Sequence, residues 1–292
     1  MKAKGKRTML SGLPRFSNLL NSIRATTIFL MMPTAYDQAL IQVREYLMAK
    51  PDLLGVVGQA LRKSFDEIID GSRTGRYCIE QLEKTEKTYI GTKVEIVLRN
   101  ELALERGLVL DNLIAGHEVD TKFTVGTNRM IPREALGQLC LLVTGNDNTG
   151  LCRMGVLRMT PEVLTNGANQ DGKKSVSRIG KEQISWLVQG PMPRNFMLDL
   201  PDADRDAIMS APSGRQAIQT LFRKATGRII PRTVIEQVAR QKDAAKRARE
   251  AKAALAAEGV QVLCATYLAD RSEFMRHGFY HFKSDDWLSM PM

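Results

Sequence analysis

An acidic and a basic residue two positions apart, Asp120 and Lys122, lie in a segment of alternating polar and apolar side chains. That alternation, from His117 to Val125, predicts a β-strand, on which residues two apart point to the same face. A carboxylate can bind a hard divalent cation, and a neighbouring lysine can orient or deprotonate water and stabilise charge on a phosphate. The pair therefore suits phosphodiester hydrolysis, although a D-x-K triplet alone is more often a salt-bridged surface pair.

A second acidic residue precedes this pair. Asp111 lies nine positions before Asp120, just ahead of the apolar segment Leu113–Ala115. This order resembles the acid-then-(D/E)xK pattern of restriction-type nucleases, in which a bend between two strands brings both carboxylates to one metal ion. Glu95, on the preceding predicted helix, could supply a third carboxylate. A surface glutamate on a helix explains Glu95 equally well from the pattern alone.

The elements expected to carry these residues are helices followed by a small mixed sheet. Apolar residues at spacings of three, four and seven predict helix from Ala35 to about Asp70, and a further helix within Lys93–Glu105. Apolar runs predict strands at Leu139–Val143 and Gly155–Met159. Polar, glycine-rich segments predict loops at Gly71–Arg76 and Gly145–Asn148, and a last helix is expected near Lys181–Leu187. The expected fold class of this part is α/β.

A segment rich in proline and glycine, Gly190–Pro193, is expected to separate two domains. Two prolines and a glycine interrupt regular structure and stiffen a connector, and a chain of 292 residues is long enough for two domains. The predicted division is a basic extension at 1–34, an α/β domain at 35–189, a linker at 190–195 and a mainly helical domain at 196–292. Either a disordered basic arm or translation annotated from an upstream start codon explains the extension.

The second domain is expected to bind DNA through basic helices. Lys and Arg exceed Asp and Glu by 10 in the whole chain, and 11 basic against 3 acidic residues lie between Arg215 and Lys252. Helices are predicted at Pro231–Gln241 and Asp243–Glu258, followed by a strand at Val260–Cys264. The basic candidates for contacts in a major groove are Arg232, Arg240, Lys242, Lys246, Arg247 and Arg249. A solvated, alanine-rich surface helix is the alternative interpretation.

The composition also excludes several classes of protein. The longest apolar run near the N-terminus, Ile28–Met32, is too short to cross a membrane. The four cysteines form no CxxC pair, so we expect reduced, mostly buried thiols in a cytoplasmic protein, with neither a zinc site nor a disulfide framework. The glycine-spaced segment Gly145–Leu151 lacks the Gly-Lys-Ser/Thr of a phosphate-binding loop, which argues against a nucleotide cofactor.

Longer blocks of sequence give a more specific resemblance. The segments Arg129–Ala135, Cys140–Val143, Leu164–Lys174 and Ala239–Arg249 resemble, in that order, the NaeI restriction endonuclease family, which is of type IIE. Several ungapped blocks in the right order are stronger evidence than one motif. The resemblance covers most of the chain from about Tyr36 onward.

The resemblance implies both a fold and a set of site residues. It implies a restriction-endonuclease-like (PD-(D/E)xK) domain followed by a winged helix-turn-helix-like C-terminal domain. The implied catalytic residues are Glu95, Asp111, Asp120 and Lys122, of which the three acids would also bind Mg²⁺. A glycine-punctuated loop is implied to contact DNA through Asn169, Asp171, Lys173 and Lys174, which as ordinary turn residues would otherwise indicate only a loop.

The expected function is sequence-specific, Mg²⁺-dependent cleavage of double-stranded DNA by a homodimer in the bacterial cytoplasm. The resemblance further implies activation by a second DNA copy bound at the C-terminal domain. That domain looks shorter than in the family, which puts two-site activation in doubt more than cleavage. Alternative functions are a DNA-binding regulator without catalysis, and a nicking or repair nuclease on the same fold.

Overall fold

The computed structural model of the protein describes residues 37–126 and 128–292. The predicted extension at 1–34 lies outside the described residues. Four helices come first in the described chain: α1 (Gln38–Met48), α2 (Leu53–Ile69), α3 (Gly71–Thr74) and α4 (Lys84–Glu101). The helical stretch predicted up to Asp70 is confirmed as two helices. They are separated at Pro51 and Asp52, where Asp52 adopts a left-handed conformation and its carboxylate accepts a hydrogen bond from the Gly55 N–H.

Two predictions in this part are wrong in detail. The loop predicted at Gly71–Arg76 begins as the short helix α3, because Asp70 ends α2 in a left-handed conformation and the Thr74 hydroxyl then bonds back to the Ile69 carbonyl at 2.9 Å. The helix predicted within Lys93–Glu105 begins earlier, at Lys84. The Glu86 carboxylate accepts a hydrogen bond from the Glu83 N–H at 2.8 Å, and this cap starts α4.

A six-stranded mixed sheet follows the helices. Its strands are β1 (Glu105–Arg106), β2 (Asn112–Ile114), β3 (His117–Thr124), β5 (Leu139–Asn146), β6 (Leu151–Arg158) and β8 (Ser185–Pro191), in that spatial order. Strands β3 and β5 pair in parallel, and the other neighbours pair antiparallel. Strands β4 (Met130–Ile131) and β7 (Lys174–Ser175) form a separate two-stranded ribbon. The strands predicted around Asp120, Leu139–Val143 and Gly155–Met159 are confirmed within one to four residues of their bounds.

The two faces of the sheet have different surroundings. Helices α1, α2 and α4 contribute to the apolar core on one face, against residues such as Val119, Leu141 and Met154. Helix α1 packs on β6 and β8, and α2 also packs on α4. The opposite face carries a smaller core that includes Cys140 and Leu142. Because side chains alternate along a strand, Asp120 and Lys122 lie on this second face.

The turn predicted at Gly145–Asn148 is misplaced. Strand β5 continues through Asn146, and the turn lies between Asn146 and Leu151. Gly145 is part of the strand because α2 packs closely there: a Cβ on Gly145 would lie 3.0 Å from Leu61 Cδ1. The glycine thus reflects helix-to-sheet packing rather than a change of direction.

The helix predicted near Lys181–Leu187 is also wrong. A short helix, α5 (Arg178–Glu182), ends before the strand β8, which runs through Pro191 and so into the segment predicted as a linker. Pro191 is accommodated because β8 is an edge strand and the proline is its last residue. Pairing with β6 therefore overrides the local breaking tendency of Gly190 and Pro191.

The remaining chain forms a second apolar core. Its elements are α6 (Asp202–Met209), α7 (Gly214–Lys224), β9 (Ile229–Ile230), α8 (Arg232–Ala239), α9 (Ala245–Ala256), β10 (Val260–Cys264), α10 (Leu268–Arg276) and β11 (Trp287–Pro291). The three strands form an antiparallel sheet in the order β10-β11-β9. Val234, Ile235 and Leu255 lie in the core around Trp287. The two helices and the strand predicted between Pro231 and Cys264 are confirmed.

A buried polar cluster links this second core to the sheet. The Arg62 guanidinium, on α2, forms a salt bridge with the Asp147 carboxylate in the β5–β6 turn. Asn195 Nδ2 donates to Asp147 at 2.9 Å and to the Tyr77 carbonyl at 2.8 Å. All four cysteines are buried and free, as predicted. None of the helices in the described chain has the length and apolar character needed to cross a membrane.

Candidate active site

The hairpin of β2 and β3 brings Asp111 next to Asp120. Its two-residue turn has positive φ at both Ala115 (51°) and Gly116 (80°), the backbone geometry of the tight hairpin turns that match strand twist. Asp111 precedes β2, and its Oδ2 accepts a hydrogen bond from the Thr121 N–H at 2.7 Å. The bend predicted between Asp111 and Asp120 is therefore present as this hairpin.

A side-chain contact inside the hairpin fixes its register. Asn112 is buried, and its Nδ2 donates to Thr121 Oγ1 at 2.8 Å. Asn112 and Thr121 point to the helix-covered face, whereas Asp120 and Lys122 point to the other. A shift of register by one residue would turn each strand residue to the other face, so the Asn112–Thr121 bond helps to keep Asp120 on the second face, opposite α1, α2 and α4.

Asp120 and Lys122 are in direct contact, as the two-residue spacing predicts. Lys122 Nζ lies 2.8 Å from Oδ1 and 2.7 Å from Oδ2 of Asp120. Asp120 is buried, and Lys122 is half-buried. On the neighbouring parallel strand their partners are Cys140 and Leu142. The lysine is therefore the polar group that neutralises a carboxylate set among apolar neighbours.

Two carboxyl groups at this site, those of Asp120 and Glu95, have raised pKa values. Burial, and then the nearby Asp111 carboxyl, raise the pKa of Asp120 to about 7 in spite of Lys122. Burial and the charge of Asp111 also raise the pKa of Glu95. Burial lowers the pKa of Lys122, but its contacts with Asp120 outweigh this effect and the net shift is upward. The lysine is therefore cationic at neutral pH.

Glu95 reaches the cluster from α4. It lies four residues before Arg99, and their side chains approach to 3.6 Å. Arg99 also donates to the main-chain carbonyl of Asp111 at 2.9 Å, which ties the helix to the start of β2. The three acids thus come from α4, from the residue before β2 and from β3. Glu95 is a partly buried member of the site rather than a solvated surface residue.

The chemistry of the donors fits a hard divalent cation. The available ligands are carboxylate oxygens, which Mg²⁺ prefers, and a bound cation would favour the charged forms of carboxyls whose pKa values are raised by burial and by Asp111. Cys140 Sγ lies 3.9 Å from Asp120, but burial strongly raises its pKa, so it stays a neutral thiol. Across residues 37–126 and 128–292, no three His, Cys, Asp or Glu side chains are grouped closely enough to hold a metal as they stand.

The predicted DNA-contact loop forms a structured turn. Asn169 Oδ1 accepts hydrogen bonds from the N–H groups of Asp171 (3.1 Å) and Lys173 (2.8 Å), so the side chain of Asn169 shapes the loop. Asn169, Asp171 and Lys173 are exposed, whereas Lys174 is half-exposed on β7 and pairs with Ile131 of β4. Two of the family-like blocks therefore meet in one ribbon.

The basic candidates in the second core divide into two groups. Arg232 is paired with Glu236 at 2.8 Å and Asp243 at 3.6 Å, and Arg240 donates to the Met209 carbonyl at 3.3 Å. The other four lie at or beside the start of α9 and have no salt bridge within the described chain: Lys242, Lys246, Arg247 and Arg249. These candidates lie on or beside helices packed around the second core, whereas the carboxylates lie on α4 and the six-stranded sheet.

Several residues at these sites were not predicted as functional. Asn112, Thr121 and Cys140 border the carboxylates, and Arg99 bridges Glu95 to Asp111. Only Arg99 had a signal in the sequence, namely its position four residues after Glu95 on a helix. The contacts of the other three depend on pairing between strands, which the local pattern does not reveal.

Comparison with known proteins extends these observations to most of the chain. The family model described as restriction endonuclease NaeI matches residues 43–290. The chain is also similar to the type II restriction enzyme NaeI of Lentzea aerocolonigenes. The two are 38% identical over 215 residues, which cover 70% of this chain and 68% of the relative. The residues that the family model matches include the β2–β3 hairpin and α9.

Proposed function

The chain belongs to the NaeI restriction endonuclease family, and on that premise we propose that it hydrolyses double-stranded DNA at a specific sequence. The observation that carries the proposal is the contact of Asp120 with both Lys122 and Asp111 on the second face of the sheet. A protein that only binds DNA has no need of a raised-pKa carboxylate cluster with a lysine at its centre.

We assign the catalytic roles as follows. Asp111 and Asp120, with Glu95, would hold Mg²⁺, which when bound polarises the phosphate and lowers the pKa of a coordinated water. Lys122 would donate hydrogen bonds from its ammonium group to the attacking water and to the developing charge on the phosphate. Its raised pKa favours this orienting role over that of a general base. Arg99 would fix the position of Glu95 relative to the Asp111 backbone.

The proposed domain division follows the two cores. Residues 35–189 would be a restriction-endonuclease-like domain, 190–195 a connection and 196–292 a winged helix-turn-helix domain. The order α7, β9, α8, α9, β10, β11, with β11 between β10 and β9, supports this assignment. In such a domain α9 would enter the major groove, and its unpaired basic residues would contact the DNA.

The assembly is part of the same proposal. A homodimer would cut both strands of a two-fold symmetric site, one strand at each active site. A second DNA copy at the C-terminal domain would activate cleavage. The chain would act in the bacterial cytoplasm, where its buried free thiols are kept reduced.

Cleavage of DNA that carries no methylation tests the enzymatic proposal. Long duplexes made by amplification in vitro, of varied sequence, would be incubated with Mg²⁺ and with wild type, Asp120→Ala or Glu45→Ala. Glu45 is an exposed acid on α1 and serves as the matched control. Discrete fragments from wild type and Glu45→Ala, and none from Asp120→Ala, would support the proposal.

The other outcomes separate the alternative functions. Nicked circles without linear product from an amplified, ligated circle would favour a nicking or repair nuclease. Binding without any cleavage would favour a DNA-binding regulator. Equal cleavage by Asp120→Ala would show that the carboxylate cluster is not the active site.

A further inference from the structure

Two arginines without acidic partners lie over one aromatic ring. The guanidinium carbon of Arg153, on β6, is 4.5 Å from the ring centroid of Trp186, and that of Arg129 is 5.8 Å from it. Arg129 precedes the ribbon strand β4, and Trp186 lies on β8. Within residues 37–126 and 128–292, neither arginine takes part in a salt bridge. Most other buried or half-buried arginines here, such as Arg62 and Arg76, do have an acidic partner.

This cluster lies on the same sheet face as the candidate catalytic residues. Strand pairing aligns Lys122 with Leu142, Leu142 with Gly155, and Gly155 with Trp186. Thr144 and Arg153 are paired two residues further along β5 and β6. Paired residues on neighbouring strands share a face. The second face therefore carries all four of these side chains: Lys122, Thr144, Arg153 and Trp186.

A glycine makes room for the ring. A Cβ on Gly155 would lie 2.9 Å from Trp186 Cε3 and 2.7 Å from Ile184 Cγ2. Any side chain at this position would therefore force the Trp186 ring, Ile184 or the β8 backbone to shift. The absence of a side chain at Gly155 allows Trp186 to lie close to the sheet, where both arginines can contact it.

The charge of Arg129 has no acidic partner among residues 37–126 and 128–292. Only 2% of the residue is exposed, its Nη2 donates to Thr144 Oγ1, and its Nε has no hydrogen-bond partner in the described chain. Burial and the nearby positive charge of Arg153 lower the pKa of Arg129 to about 10. Two like charges beside one ring repel each other, so the cluster would be stabilised by an anion.

We propose that Arg153, Arg129 and Trp186 form a binding site for a DNA backbone phosphate near the one that is hydrolysed. This inference rests on the proposed function, since that function supplies the anion. Arg153 is half-exposed and would contact the phosphate, whereas the buried Arg129 would add its uncompensated charge. Trp186 would hold both guanidinium groups in place through cation–π contacts.

The position on the sheet favours a phosphate of the DNA that occupies the active site. Arg153 lies on β6, two strand spacings from β3, about 9.6 Å, and two residues along from the row of Lys122, about 6.7 Å. A duplex whose scissile phosphate is at Lys122 therefore passes close to the cluster. A backbone contact of this kind fixes the register of the DNA and carries no sequence information.

The salt dependence of DNA binding tests the inference. Dissociation constants for labelled duplexes of several sequences would be measured without Mg²⁺, so that no hydrolysis occurs, for wild type and Arg153→Met. Methionine keeps an apolar chain against Trp186 and removes the charge. We expect about tenfold weaker binding to every duplex, and a plot of log affinity against log salt whose slope is smaller by about one.

Two further variants keep the test specific. Arg153→Lys retains the charge and should restore the slope. Arg44→Met removes an exposed arginine from α1, the helix that packs on the other face of the sheet. This variant should leave the slope at the wild-type value. In cleavage assays Arg153→Met should raise KM while kcat stays within a few-fold of wild type. An unchanged slope for Arg153→Met, or equal effects of the methionine and lysine variants, would overturn the inference.

The result also separates this inference from the proposed function. If wild type cleaves DNA and Arg153→Met binds with the wild-type slope, only the phosphate site is wrong. If wild type neither binds nor cleaves duplexes, the proposed function is wrong. Inorganic phosphate is the probe for a small-anion site. Thermal protection by millimolar phosphate that requires Arg153, with no effect of Arg153→Met on DNA binding, would assign the cluster to a free anion instead.

Discussion

Removal of the Asp147 carboxylate should destabilise both cores of the protein. The Asp147→Ala variant leaves the buried Arg62 without one of its two acidic partners and leaves Asn195 Nδ2 with one acceptor fewer. A buried charge that loses its partner typically costs about 3–5 kcal/mol. Asp66, 2.8 Å from Arg62 and half-exposed, compensates part of this, so we expect about 3 kcal/mol.

Equilibrium unfolding in urea measures this loss. For a unit of this size, about 3 kcal/mol corresponds to a Tm lower by roughly 6–12 °C. The chain has two tryptophans: Trp186 reports on the sheet and Trp287 on the second core. Because Asn195 connects Asp147 to the segment that enters the second core, the transitions seen by both tryptophans should shift. Asp206→Asn, at an exposed acid on α6, is the control and should change stability by less than about 0.5 kcal/mol.

A double-mutant cycle isolates the ionic contribution. Arg62→Met in the Asp147→Ala background removes the unpaired charge. The loss in free energy of unfolding of the double variant should therefore be smaller than the sum of the two single losses by about 1–3 kcal/mol. Additive losses would refute the reasoning, because they would mean that Arg62 and Asp147 do not depend on each other. A shift seen only at Trp186 would refute the link to the second core.

Four further predictions concern the active site and its surroundings. Lys122→Met should lower kcat by roughly 10²–10⁴-fold, with DNA affinity within a few-fold of wild type in a binding assay. Chelation of divalent cations should abolish cleavage, and added Mg²⁺ should restore it; cleavage in excess chelator would exclude the metal assignment. Without metal, the raised pKa of Asp120 should make wild-type stability fall from about pH 4 to pH 7, since the unfolded chain releases this proton first. Asp120→Asn should flatten that part of the pH profile in thermal unfolding, and a profile as steep as that of wild type would contradict the assignment. Gly155→Ala should cost about 1–3 kcal/mol by displacing Trp186, and unchanged unfolding would mean that the ring can move without loss.

The central part of the site could be predicted from the sequence. Alternation along β3 decides that Asp120 and Lys122 share a face, and this follows from strand geometry alone. The chain between Asp111 and Asp120 is long enough for a hairpin and too short for a parallel crossover connection. Helices α8 and α9 were also predictable, because their apolar spacing and flanking proline and glycine act locally.

The errors arose where packing between distant segments decides the local structure. Local sequence predicts that Gly145 is a turn residue, but it is a strand residue that makes room for Leu61 of α2. Local sequence predicts that Pro191 ends regular structure, but pairing with β6 extends the strand through it. The uncompensated charge of Arg129 was invisible for a related reason. A sequence shows where the basic residues are, but not which of them lack an acidic neighbour in space.

The packing of α1 on β6 and β8 has a consequence for biosynthesis. Helix α1 leaves the ribosome before the strands that cover its apolar face, the last of which follows about 140 residues later. At translation rates of about 5–20 residues per second, this interval is on the order of 7–30 s. During that time Val43 and Leu47 have no partners in the sheet, and nascent chains can associate through them. The yield of folded protein should therefore depend on chaperone supply and growth temperature more than its final stability suggests.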